Sequence, residues 1–131
     1  MYAEILRYMG HRGSLSAELQ NLISASLEKL SAAAEFRHVV QKLPCTVTEG
    51  TVSIEAQNIV SHDLAKSIYG CNSVYLLAAT LGADVDRLIS QRTSINTAEA
   101  FCLQACAAFK IEEYCDTIEN GLFKMRFSPG Y

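Results

Sequence analysis

Apolar residues recur along this chain with two different periods, and the changes between them divide it into elements. From Tyr2 to Met9, Ile5, Leu6, Tyr8 and Met9 give a short helix one apolar side before Gly10 and Gly13 interrupt it. Ser14 has N-cap chemistry. Behind it Leu15, Leu19, Leu22, Ile23, Leu27 and Leu30 return at steps of three and four, which predicts a helix ending near Ala34. The stretch Glu35 to Ala56 is rich in β-formers, among them Val39, Val40, Val47, Thr51, Val52 and Ile54, and Glu49-Gly50 can turn it into a β-hairpin. Ser61 can cap a short helix through His62, Asp63, Leu64 and Ile68 that stops at Gly70. The almost wholly apolar run Ser73 to Leu81 predicts a strand buried on both faces, in the middle of the sheet. Gly82 ends it, and Val85, Leu88 and Ile89 space a helix to about Thr93. Asn96 with Glu99 three residues on forms a capping-box pattern for the longest helix, Thr97 to about Asn120, with Asn120-Gly121 as its stop. Leu122 to Tyr131 alternates Phe123, Met125 and Phe127 with Lys124, Arg126 and Ser128, a strand-like period of two. The order ααββαβαα with an extended tail predicts an α+β fold, a short antiparallel or mixed sheet with helices packed on it.

The chain has 131 residues, half of them hydrophobic and 19% charged, with no internal repeat or low-complexity linker. One domain over 1–131 is expected, with a core of its own; a chain of this size buries roughly two-thirds of the surface exposed on unfolding. A formal net charge of -3 lacks the basic excess that nucleic acid or an anionic membrane surface attracts. The longest apolar run, Val74 to Ala79, is far short of the ~20 residues that span a bilayer, and Met1 to Gly10 has no secretory pattern. These features predict a cytoplasmic protein. Its five cysteines form no CxxC pair and read as reduced.

The common catalytic motifs are absent: no phosphate loop, no nucleophile elbow and no metal-ligand cluster of convincing spacing. Ser61, His62 and Asp63 are consecutive, so on a helix they point in different directions and serve capping rather than a proton relay. His11 and His38 are isolated. Cys102 and Cys106 share a helix face and could supply two metal ligands, but small core residues beside Ala105 and Phe109 are the simpler account. On the long helix Phe101, Ala105, Ala108, Glu112, Asp116 and Glu119 form a side that turns from apolar to acidic. Either the carboxylates are solvated there, or one stands at a pocket edge and accepts hydrogen bonds from a ligand ammonium. The terminal run Arg126-Phe127-Ser128-Pro129-Gly130-Tyr131 joins a permanent cation, a Pro-Gly turn and an aromatic ring, a combination suited to a zwitterionic or sulfonium ligand.

These residues resemble a known family. Arg126, Pro129, Gly130 and Tyr131 match the RxxPGY segment of the S-adenosylmethionine-binding activation domain of cobalamin-dependent methionine synthase, and RFSPGY is similar to the form in stand-alone relatives of that domain. The likeness extends to LRYMGHRG at Leu6 to Gly13, to the Ser61 to Gly70 helix with Cys71, and to LLAATLGADVD at Leu76 to Asp86 followed by the Ala-rich helix to Glu119.

The resemblance implies a reactivation module of methionine biosynthesis. In the family a reductant returns an electron to inactive cob(II)alamin while S-adenosylmethionine supplies a methyl group to the cobalt. The cofactors implied are thus S-adenosylmethionine and a cobalamin held by a partner, a corrinoid protein or cobalamin-dependent methyltransferase, with a flavodoxin-like reductant acting on that partner. No residue is implied as catalytic. Arg126 would bind the ligand carboxylate or neighbouring backbone, Pro129, Gly130 and Tyr131 would shape the pocket, and Glu112 would receive the α-amino group. In the family the chain continues past the PGY turn, so the sheet is expected to be incomplete at Tyr131. The alternative is a truncated, non-catalytic module that docks on a corrinoid protein or self-associates as a homo-oligomer through an open sheet edge.

Overall fold

The structure, a computed structural model, describes residues 1–11 and 13–126, of which 123–126 are described as backbone only. It is α+β, with the helices and strands α1 (Tyr2–Tyr8), α2 (Ala17–Ala33), β1 (Arg37–Thr48), β2 (Thr51–Ile54), β3 (Gln57–Val60), α3 (His62–Ser67), β4 (Ser73–Thr80), α4 (Ala83–Thr93) and α5 (Thr97–Arg126). Contacts divide the chain into two compact units, one formed by Met1–Arg37 with the chain from Ala79 onward, the other by His38–Ala78.

In the first unit α5 packs against α1, α2 and α4. Ile5, Ile23, Leu30, Cys102 and Cys106 are almost wholly buried there, with Val85 and Phe109 beside them. Each large aliphatic side chain so buried contributes about 1.5–3 kcal/mol. The start of α2 is set by Ser16, whose Oγ accepts from Leu19 N at 3.1 Å, rather than by Ser14. The apolar spacing fits either serine, and the Ser16 cap also places Glu18 in the favourable first turn. At the N-terminus of α5, Asn96 Oδ1 accepts from Glu99 N at 3.1 Å. Glu99 itself is nearly buried and ion-paired to Lys29, with Arg92 Nε at 3.8 Å. The Lys29 hydrogen bond, against the opposing effect of burial and with the added charge of Arg92, holds the Glu99 carboxyl below the usual carboxylate range.

The second unit carries most of a four-stranded sheet in the order β3-β2-β1-β4. β1 and β2 form the expected antiparallel hairpin, Thr48 opposite Thr51 and Cys45 opposite Ile54, closed by Glu49-Gly50 with Gly50 at φ +76°. β2 pairs antiparallel with β3 across a second two-residue turn in which Glu55 takes φ +53°. A core of Leu43, Cys45, Val52, Ile54 and Ala65 lies between sheet and α3. Ser61 caps α3 as expected, its Oγ accepting from Leu64 N at 3.2 Å.

Three features differ from the sequence reading. β3 adds a strand to the expected order; all four of its residues are exposed, so it has no alternating burial to betray it. β4 stands at the sheet edge beside β1 instead of at the centre, with Tyr75 and Leu76 about half exposed. A continuous apolar run marks a doubly covered strand only where helices lie over both faces. The third difference is α5, which runs through Gly121 to Arg126 where a stop and then a strand were expected. Gly121 is not among the left-handed glycines, and a helix tolerates an interior glycine at a cost of about 1 kcal/mol. Residues 127–131 of that expected strand lie outside the described residues.

Candidate functional site

The end of β4 delivers Ala79-Thr80-Leu81 into a turn at Gly82 before α4 begins. Leu81 O accepts from Glu35 N at 2.8 Å, and Gly82 N donates to Thr80 Oγ1 at 3.0 Å. Gly82 sits at φ +95°, ψ 160°, a region open essentially to glycine alone, and a Cβ there would come within 3.3 Å of Glu35 Cβ and O. Both constraints require the glycine of the AATLG string.

A cavity of about 260 Å³ opens at this turn, with α4 and the middle of α5 as its other walls. Ala79, Ala107 and Ala108 make the room, since larger side chains at those places would fill it. Its one charged lining group is Asp86, on the first turn of α4, which has no ion pair among the described residues, unlike Asp84, paired with Arg87 at 2.9 Å. Asp86 lies within the LLAATLGADVD string, and no site role was expected of it. The available signal was its place four residues after the strand-ending glycine, on the first helical turn facing that bend.

The sequence-predicted residues fall in different places. Glu112 is exposed on α5, one turn beyond Ala108 and therefore on the side of the helix that lines the cavity, although it is not itself part of the lining. Asp116 and Glu119 are exposed too, so the acidic half of the stripe is solvated. Arg126 is the last residue of α5. An unbroken helix puts it about 21 Å along the axis from Glu112, at 1.5 Å per residue. Pro129, Gly130 and Tyr131 lie outside the described residues.

Cys102 and Cys106 are fully buried in the helical core. The hydrogen bond between them favours ionisation of Cys102 and opposes that of Cys106, whose thiol is pushed up further by burial. Among the described residues no three His, Cys, Asp or Glu side chains gather where they could hold a metal ion. No helix among these residues is long and apolar enough to cross a membrane. No protein-family model matches the chain, and no curated protein sequence matches it either.

Proposed function

We propose that this chain is an S-adenosylmethionine-binding module that supports reductive methylation of a cobalamin held by a separate corrinoid methyltransferase such as methionine synthase, in the cytoplasm. The observation that carries the reading is the meeting, around one cavity, of two segments on which the family resemblance rests: AATLG at 78–82 and the Ala-rich helix that follows. The donor set fits a cationic group. Asp86 in the wall and Glu112 one turn beyond Ala108 put negative charge beside a small apolar recess, the environment that an ammonium or sulfonium group favours. At about 260 Å³ the recess is below the roughly 300–1,000 Å³ of sites that engulf a whole ligand, so it takes one end of one.

In this reading Glu112 and Asp86 serve the cationic part of the ligand, while Arg126 with Pro129, Gly130 and Tyr131 forms the other part of the pocket. The helical separation of Glu112 from Arg126 favours a role for Arg126 in holding the backbone of the Pro-Gly turn, rather than gripping a carboxylate on the same carbon as the ammonium that Glu112 receives. Bound S-adenosylmethionine supplies an electrophilic methyl group; this chain binds and orients it. The test combines the chain with a corrinoid methyltransferase in its cob(II)alamin form, reduced flavodoxin and S-adenosylmethionine labelled in the methyl group. Label reaching the cobalt only when the chain is present is the expected result. Labelling that does not depend on the chain, or none at all beside a competent control activation domain, contradicts the proposal.

A further inference from the structure

A second, larger cavity lies within the sheet-bearing unit, and the resemblance assigns it nothing. Its volume is about 720 Å³, in the range of sites that hold a small organic ligand. One wall is the end of β1 with the Glu49-Gly50 turn; the other is α3 and Tyr69. His62 and Lys66 are four apart and rise from one side of α3, and Tyr69, in the turn that follows the helix, lines the cavity with them.

The two walls are fixed to each other. Ser61 N donates to Gly50 O at 3.0 Å, which ties the start of α3 to the turn. Gly50 is buried at φ +76°, and the His62 ring occupies the place of its missing side chain: a Cβ there would lie 2.6 Å from His62 Cε1. The floor is apolar, formed by Val47 and the buried Ala65. Opposite charges stand on the opposing walls, Glu49 on the turn and Lys66 on α3, and neither forms an ion pair with the other or with any described residue. Two unneutralised charges of opposite sign over an apolar floor complement a ligand that carries both charges and an apolar group.

We infer that this cavity binds a small zwitterion, an α-amino acid or dipeptide with an apolar side chain, its carboxylate on Lys66, its ammonium on Glu49, and its side chain against Val47, Ala65 and the Tyr69 ring. The site is independent of the S-adenosylmethionine reading. It is tested by nuclear magnetic resonance titration of the whole chain with L-phenylalanine, with leucyl-phenylalanine, and with two analogues that each lack one charge, phenethylamine and 3-phenylpropionate. Saturable shifts confined to the amides of 47–50 and 62–69 are expected, with each analogue weaker than phenylalanine by about tenfold or more, as the loss of one charge-assisted hydrogen bond requires. Lys66→Ala weakens phenylalanine and 3-phenylpropionate but leaves phenethylamine unchanged; Glu49→Gln gives the converse. Both side chains are exposed, so neither change threatens the fold. No saturable shift with any probe, equal binding of the charged and half-charged analogues, or variants that weaken all probes alike would each overturn the inference. Phenylalanine leaves S-adenosylmethionine binding unaltered if the sites are separate, so either proposal can fail without the other.

Discussion

Replacing Gly121 with alanine distinguishes a helix that continues from one that stops. Along α5, Gly121 lies inside a run that extends five residues further, is solvent-exposed and does not take a positive φ. A Cβ added there meets nothing within 4 Å, so the substitution introduces no clash. What changes is the backbone entropy lost on folding and the intrinsic helix preference, which together favour alanine by about 0.5–1 kcal/mol. Were Gly121 instead the left-handed residue that ends a helix, alanine would cost about 1–2 kcal/mol. The sign alone therefore decides. For a domain of this size the gain corresponds to a rise of roughly 2–4 °C in the midpoint of thermal unfolding followed by circular dichroism. A fall of similar size would refute the continuous helix, and with it the placement of Arg126 four turns from Glu112.

Gly82→Ala combines a Gly-only backbone conformation with a tight approach to Glu35, and a loss of about 2 kcal/mol or more is expected, read as a fall of about 1 M or more in the urea midpoint; a change within about 0.5 kcal/mol would contradict the turn geometry. Glu99 contributes stability in its ionised form, and because its folded carboxyl lies below the ordinary 4.5, that contribution is complete above about pH 4.5 and is lost as the pH falls through the lowered value. Urea unfolding of the parent and of Glu99→Gln should then differ near neutral pH and converge as the pH falls through that lowered value; a difference that persists unchanged into acid argues against the ion pair as its source. In S-adenosylmethionine binding, the losses from Glu112→Gln and Arg126→Ala should add within about 0.5 kcal/mol, as distant groups do, whereas strong coupling would mean that both residues grip one end of the ligand.

Local rules read several positions of this fold correctly because the deciding partner is a near neighbour in sequence. Ser61 finds Leu64 N, Asn96 finds Glu99 N, and Glu49-Gly50 closes Thr48 on Thr51, all within a few residues. The misreadings share the opposite cause. The place of β4 depends on which strands and helices cover it, information held by β1 and its neighbours rather than by Val74 to Ala79. β3 is held by its register against β2, Ser53 Oγ donating to Asn58 Oδ1 at 2.7 Å, although its own residues carry no burial pattern. The Phe123, Met125, Phe127 alternation competed with the helix preference of Leu122, Lys124, Met125 and Arg126, and the preference prevailed as far as Arg126. Of the candidate site, the sequence singled out Glu112, which stands one turn beyond the cavity lining, and gave the turn after β4 only as part of the family resemblance. Asp86 became visible only once α4 and α5 were seen to enclose a space with it.

The central claim, that the chain holds S-adenosylmethionine, is tested most directly by calorimetric titration of the chain with that ligand, beside Asp86→Asn and Arg126→Ala variants shown by circular dichroism to be folded. Saturable one-to-one binding that falls by about tenfold or more in each variant is the expected result, the size appropriate to one lost charge-assisted interaction. Absence of saturable binding, or binding that neither variant weakens, would contradict it.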